Sequence, residues 1–194
     1  RADGQYGRVN TDLAELDTVR AVADPSGVVQ SGAAGVVFTQ GFGQAWPIDP
    51  ASPVDLGAGD DEADADAGSA EAGGAATPSG TRAVQAAGGR ILYLTSTGEL
   101  HLGGLSEDGA LESPAQLNPF AGIEVAPGEE APRYLAQAAA LDASGRVVMY
   151  SAAERAVRSY DAASGRFSDE VQQVPEPPAA DAQLELVLAG GRWA

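Results

Sequence analysis

The sequence contains no cysteine and no lysine, and it has a single histidine among its 194 residues. Without cysteine the chain can form no disulfide framework, no thiol nucleophile and no cysteine-ligated zinc site. One histidine is also too few for a catalytic zinc site with the usual ligands. We therefore predict no metal ion and no cofactor, and we assign no catalytic residue.

Basic residues are scarce, and all of them are arginine. The 11 basic side chains face 28 acidic ones, which gives a net charge of −17 and a pI near 4.1. Nucleic-acid binding needs clustered Lys and Arg, and so does attraction to an anionic membrane surface. The composition predicts that neither is a partner.

Long hydrophobic runs are missing as well. No stretch approaches the roughly 18 apolar residues that cross a bilayer, and the first residues do not resemble a signal peptide. A membrane anchor is therefore expected only outside this chain. Hydrophobic residues make up 44% of the chain but aromatic residues only 6%, so Val, Leu, Ile and Ala must fill any core.

What the sequence does contain is a repeated strand and turn. Gly88-Gly89-Arg90 predicts a turn, and the apolar run 91–95 that follows is too short for a helix and predicts a buried strand. Segments 35–39 and 144–151 repeat this pattern, and 190–193 begins a fourth copy. Repetition of such a unit is typical of folds in which each unit buries its apolar faces against its neighbours.

The spacing of the copies predicts the fold class. If Val36, Ile91, Val147 and Trp193 are equivalent, the first two spacings are about 55 residues and the last is about 46. The pattern predicts an all-β fold, a partial β-propeller of about three four-stranded blades plus the first strand of another; a β-sandwich is the alternative. The chain 1–194 is then one propeller-like domain or fragment, and its blades are predicted at 16–56, 81–117, 134–174 and, incomplete, 184–194.

Segment 57–80 interrupts the pattern, and it is predicted to be an exposed acidic loop. It has no apolar period, and a stretch of this kind buries too little surface to offset its ordering entropy. The carboxylates at 60–66 invite a calcium interpretation, but counting from Glu62 the sixth position is Ala67 and the twelfth is Gly73, so the EF-hand pattern fails. A second insertion, rich in Pro and Gly, is predicted at 118–133.

The other candidates for chemistry each have a simpler interpretation. His101 lies on an alternating strand opposite Leu100 and Leu102, and no G-x-S-x-G elbow accompanies it, so we expect a strand-surface histidine. Trp46 and Trp193 are expected to pack between strands, with sugar or peptide stacking as the alternative. The sequence does not place the loop pair Glu129-Glu130 across a cleft, as glycosidase chemistry requires.

Four segments of the N-terminal half carry a resemblance: Gly7–Leu13, Leu16–Val19, Asp24–Ser26 and Ala45–Pro50. They are similar to the start of large actinobacterial surface proteins. In that family a membrane anchor precedes a propeller-like region, and fibronectin type III or immunoglobulin-like modules follow. The resemblance implies an extracellular, membrane-anchored ectodomain, and it assigns no functional residue.

Two later turns, 140–147 and 159–166, resemble those of quinoprotein-type propeller repeats. The physical basis is an Asp that accepts backbone N–H bonds across a turn closed by Gly. The tryptophans typical of quinoprotein repeats are absent, since Met149-Tyr150 and Phe167 stand in their places. The quinoprotein cofactor is therefore not expected.

These observations favour a non-enzymatic extracellular binding or scaffold module of a bacterial cell-surface protein. Its expected partners are a protein or a cell-envelope glycan, together with the remaining blades of the same full-length protein. The alternatives are a propeller-based enzyme of glycosidase or quinoprotein type, with its site at the central axis, and an intracellular scaffold. The ligand, the total blade number and the oligomeric state do not follow from the sequence.

Overall fold

The structure, a computed structural model, describes residues 4–49, 52–56, 74–126, 128–179, 182–189 and 192–194. Regular structure in these ranges is entirely β-strand, and it includes no helix with the length and hydrophobicity to cross a bilayer. The strands are β1 (Gly4–Asn10), β2 (Glu15–Val22), β3 (Pro25–Ser31), β4 (Ala34–Thr39), β5 (Gln44–Ile48), β6 (Ala75–Ala76), β7 (Thr81–Ala87), β8 (Arg90–Thr95), β9 (Leu100–Gly104), β10 (Ala115–Gln116), β11 (Ala138–Leu141), β12 (Arg146–Ser151), β13 (Ala156–Asp161), β14 (Arg166–Phe167), β15 (Gln172–Gln173), β16 (Leu188–Ala189) and β17 (Arg192–Trp193).

Three antiparallel sheets follow one another along the chain, and each is a meander. The first sheet is β3-β4-β5-β6, the second is β7-β8-β9-β10, and the third is β11-β12-β13-β14, with β15 also paired to β13. Two strand pairs flank them. We call β1-β2 the N-terminal hairpin and β16-β17 the terminal pair.

The second strand of each sheet forms its buried centre. β4, β8 and β12 each have a paired neighbour on both sides. Val36, Ile91 and Val147 on these strands are completely buried. Short apolar runs that follow turns suit strands covered on both faces. The prediction that these segments share one structural setting is confirmed.

The predicted alignment of the first copy is wrong by one residue. The turn before β4 is made by residues 32–33, between the paired residues Ser31 and Ala34, and the equivalent turn before β8 is Gly88-Gly89. Gly35 is therefore the structural equivalent of Ile91, and Val36 is the equivalent of Leu92. Gly35 is not a turn glycine but a buried strand residue, where a Cβ would lie 2.9 Å from Ile48 Cγ1.

Consecutive sheets pack face to face, and the core lies between them. Val36 and Phe38 of β4 pack against the second sheet, whereas Val37 packs against the N-terminal hairpin. In the second sheet, Leu92 and Leu94 pack against the third, which in turn packs on the terminal pair. Because successive side chains of a strand point to opposite faces, each second strand contributes to two cores at once.

The first strands of the sheets approach one another most closely: β3 contacts β7, and β7 contacts β11. Gln85 links the first strands of the second and third sheets, because its side chain bonds to the backbone of β11 as an adjacent strand would. Its Nε2 donates to Ala139 O at 3.0 Å, and its Oε1 accepts from Leu141 N at 3.1 Å. Ser31 Oγ likewise accepts from Gly89 N at 2.9 Å. We call this side of the stack, where the sheets converge, the inner edge.

The predicted first blade, 16–56, is wrong at its start. β2 does not join the first sheet but pairs with β1 from Gly4↔Val22 to Asn10↔Glu15. β1 was not predicted, because it packs only Tyr6 against the core and so shows little apolar alternation. The first sheet begins at Pro25 instead.

The fourth strand of the first sheet comes from the segment predicted as the acidic loop 57–80. β6 pairs with β5 through Gln44↔Ala76 and Ala45↔Ala75. Two alanines carry no apolar period, and their neighbours hold them in place. Thr77 donates from N to Gly43 O and from Oγ1 to Phe42 O. The rest of that loop, 57–73, lies outside the described residues.

Candidate functional site

A groove of about 740 Å³ opens at one end of the strands, where β7, β11 and the terminal pair begin. It runs across three successive sheets, so its shape depends on how they stack. Four segments line it: the start of β7, the turn between β8 and β9, the residues before β11 and the chain leading to β16. The lining residues are Arg82, Ser96, Thr97, Gly98, Ala136, Gln137, Ala182, Gln183, Leu184 and Glu185.

Arg82 is held at the groove by main-chain carbonyls. The register of β7 shifts between Thr81 and Ala83, and such a bulge turns the extra side chain out of the ladder. Arg82 Nε donates to Thr95 O at 3.3 Å, and Nη2 donates to Gln137 O at 3.1 Å. A guanidinium has five N–H donors, so donors remain for a ligand.

Gln137 forms the wall of the groove next to Arg82. In the first two sheets a backbone carbonyl before the first strand caps the turn after the second strand: Gln40 N donates to Asp24 O at 3.0 Å, and Ser96 N donates to Gly80 O at 2.8 Å. In the third sheet the side chain of Gln137 replaces that carbonyl, because its Oε1 accepts from the amide of residue 152 at 2.5 Å. The side chain and the backbone carbonyl of Gln137 are therefore both held by hydrogen bonds.

The groove has one ionisable side chain of each sign, Arg82 and Glu185, and its other lining residues are neutral. The paired carboxylates of a glycosidase are not both present there. Across the described ranges, no three His, Cys, Asp or Glu side chains lie close enough to one another to hold a metal ion.

The residues singled out from the sequence lie elsewhere. His101 lies on β9 and pairs with Tyr93 of β8 and Gln116 of β10. Partial burial lowers the pKa of its imidazole, although the nearby charge of Glu99 acts in the opposite direction. Trp46 packs beside the N-terminal hairpin, and its Nε1 donates to Thr39 Oγ1 at 3.0 Å. This confirms the packing role predicted for Trp46.

Trp193 packs on the third sheet with Leu188, and its Nε1 donates to Gln172 Oε1 at 2.6 Å. The packing role predicted for this residue is confirmed too. The acidic run 60–66 lies outside the described residues.

The two aspartate turns form as predicted. Asp142 Oδ1 accepts from Ser144 N at 2.9 Å and from Arg146 N at 3.0 Å, and Asp161 Oδ1 accepts from Ala163 N at 3.0 Å. Hydrogen bonds from Ser164 and from the Ala163 amide lower the pKa of Asp161. Both turns shape strand connections, and neither borders the groove.

No family model matches the sequence, and no curated protein matches it. Solved structures do resemble it. The Cps50 (Swd1) β-propeller domain of Myceliophteria thermophila superposes with a TM-score of 0.58 at 11% identity, over 98% of this chain and 56% of that one. The N-terminal domain of Nup159 gives 0.53 at 10% identity, over 92% and 40%. A chain of the S. cerevisiae complex of Dbp5 with Nup159, Gle1, IP6 and ADP gives 0.55 at 12% identity, over 93% and 41%.

The fold is that of an open β-propeller. The stacked four-stranded meanders and these similarities confirm the predicted all-β fold, a partial propeller, over the β-sandwich alternative. At this identity the likeness concerns the fold alone. The chain spans about half the length of the structures that it matches.

Proposed function

We propose that this chain is a non-enzymatic scaffold module that binds a protein partner, and that an extended segment of the partner lies in the groove beside Arg82. The supporting comparison is that one similar structure is a complex of several proteins, Dbp5 with Nup159 and Gle1. The observation on which the proposal chiefly rests is the guanidinium of Arg82, fixed in an open groove by two carbonyl bonds.

The lining of the groove indicates what kind of segment would bind. Ser96, Thr97 and Gln183 offer hydrogen-bonding groups of the kind that meet a peptide backbone, and the groove offers no large apolar pocket. Arg82 is the cation in the lining, and a guanidinium prefers a carboxylate. We infer that the partner segment is a peptide with an acidic side chain placed opposite Arg82.

Selection from a phage-displayed random peptide library tests this proposal. We expect enrichment of peptides that share an acidic residue, and we expect Arg82→Ala to weaken their binding by about tenfold or more. Loss of one charge-assisted hydrogen-bonding group typically costs about 1.5–3 kcal/mol, which corresponds to a change of that size. Binding measured by fluorescence anisotropy for the purified chain gives the Kd.

Arg166→Ala is the matched control, because Arg166 is an exposed arginine that does not line the groove. It should leave the Kd unchanged. Peptides that bind the Arg82→Ala variant as tightly as the original chain would contradict the assignment of the groove. A chain that selects no peptide but binds isolated envelope glycan would contradict the choice of partner.

We further propose that the module belongs to the outer surface of a bacterial cell and is attached through an anchor outside this chain. The resemblance of segments 7–13 and 45–50 to actinobacterial surface proteins supports this location, and so does the acidic composition. An antibody raised against the chain should label intact cells of the source organism. Labelling that appears only after permeabilisation would refute the location.

A further inference from the structure

The groove beside Arg82 contains a negative charge that an acidic partner segment leaves without a role. Glu185 belongs to the lining, and it is exposed. Arg82 gives two of its N–H donors to backbone carbonyls and none to this carboxylate. Within the described ranges no salt bridge joins the two side chains, and no hydrogen bond holds the carboxylate of Glu185. The groove therefore offers a ligand two separate charges of opposite sign.

Glu185 is held at the groove by the residues on either side of it. Leu186 is buried against the third sheet, and Leu184 packs against the same hydrophobic cluster. Residues 184–186 are half-buried, exposed and buried in turn, which is the alternation of an extended chain. Because both leucines point to the core, the side chain of Glu185 is directed away from it.

The two charges come from different layers of the stack. Arg82 belongs to the second sheet, and its Nη2 reaches Gln137 O just before the first strand of the third. Glu185 belongs to the chain that enters the terminal pair, and this pair packs on the third sheet. Stacked sheets lie about 10 Å apart, and an extended peptide advances about 3.3 Å per residue. A peptide across the groove therefore meets the two charges about two to four residues apart.

The charge of the chain opposes a segment that is only acidic. The net charge of −17 repels such a peptide at long range. Glu185 repels a second acidic side chain at short range, and like charges that face one another across an interface weaken binding. A basic side chain on the same peptide removes both costs, because it attracts Glu185 and lowers the net negative charge of the ligand.

Given the protein-binding function proposed above, on which this inference rests, we propose that the groove recognises a bipolar segment of the partner. The segment places an acidic side chain at Arg82 and a basic side chain at Glu185. Between the two charges, Ser96, Thr97 and Gln183 offer hydrogen bonds to the backbone of the segment. Arg82 then supplies attraction for the acid, and Glu185 discriminates against segments that lack the base, which is how charge sets specificity.

Selection from the phage-displayed random peptide library on two baits, the original chain and its Glu185→Arg variant, tests the proposal. The original chain should enrich peptides that carry a basic residue about two to four positions from the acidic one. The Glu185→Arg bait should enrich a second acidic residue at that place instead of the basic one. Acidic peptides with no preference for a basic residue, selected alike by both baits, overturn the proposal.

Fluorescence anisotropy with one selected peptide measures the contact itself. Glu185→Gln should raise the Kd about three- to tenfold, and so should replacement of the peptide's basic residue by glutamine. The two changes together should cost no more than either alone, because both remove the same contact. Glu107→Gln is the matched control, since Glu107 is an exposed glutamate that does not line the groove, and its variant should keep the original Kd. Losses that add would show that Glu185 and the basic residue do not meet.

The variants distinguish failure of the bipolar site from failure of the protein-binding function. If Arg82→Ala weakens peptide binding and Glu185→Gln does not, the segment lies in the groove but is not bipolar. If the original chain selects no peptide at all, the protein-binding function and the bipolar site are both wrong. Circular dichroism of each variant confirms that a change in Kd does not arise from unfolding.

Discussion

Phe38→Ala is expected to lower the free energy of unfolding by about 3–5 kcal/mol, as for other buried phenylalanines. Phe38 is completely buried between the first and second sheets, where its ring lies 6.3 Å from that of Tyr93 in an edge-to-face arrangement. Truncation removes this contact and leaves a cavity in the core that the two sheets share. Urea unfolding followed by circular dichroism measures the loss.

Leu13→Ala is the control for this prediction. Leu13 is 66% exposed in the turn of the N-terminal hairpin, so its truncation should change stability by no more than about 0.5 kcal/mol. If Phe38→Ala unfolds the chain outright, Phe38→Leu provides a smaller cavity and a measurable transition. If Phe38→Ala and Leu13→Ala lowered the free energy of unfolding equally, Phe38 could not be packing the first sheet against the second.

Gly88→Ala is expected to destabilise the chain by about 2–5 kcal/mol, for two separate reasons. Gly88 has φ +56° in the two-residue turn before β8, and an L-residue in this conformation costs roughly 1–2 kcal/mol. The added Cβ would also lie 2.2 Å from Ala143 O, in the turn of the third sheet. Overpacking against a backbone atom adds about 1–3 kcal/mol, because neither turn can move freely.

Gly41→Ala separates the two effects. Gly41 has a similar φ, +62°, but its two chain neighbours aside, no atom of the described residues lies within 4 Å of its Cβ position. Its replacement should cost only the conformational part, and the difference between the variants in urea unfolding reports the contact between the second and third sheets. Equal losses would mean that Gly88 does not touch the next sheet.

The buried second strands could be predicted because their signal is local. A turn followed by four apolar residues and a Thr or Ser specifies β8 and β12, and the recurrence of this unit along the chain then suggested blades. The same rule misplaced the first copy, because Gly35 looks like a turn glycine in the sequence. Only the pairing of Ser31 with Ala34 shows that the turn is one step earlier in the chain.

Strands that depend on their neighbours gave no such signal. β1 pairs with β2 mainly through backbone, and β6 is two alanines placed against the edge of β5. Their side chains carry too little periodic apolar character to be recognised. The boundary of the first blade was therefore wrong although its central strands were correctly predicted.

The groove could not be predicted from the sequence, because it is made by stacking. Arg82 and Gln137 are 55 residues apart, and the bond between them spans two sheets. The only local signal is the Thr-Arg pair after Pro78-Ser79-Gly80, at the place where a bulge turns Arg82 outward. Polar residues at strand starts are common, so this signal would not have distinguished Arg82 in advance.

Residue-resolved amide hydrogen exchange tests most directly whether the repeated strands form one stacked core. The amides of Val36, Leu92 and Val148, which hold equivalent places on the second strands, should be among the slowest to exchange and should share one free energy of opening, that of global unfolding. Val9, which is 59% exposed in the N-terminal hairpin, should exchange faster. If any one of the three second strands exchanges orders of magnitude faster than the other two, the sheets do not share a core, and the account of this chain as a propeller segment is contradicted.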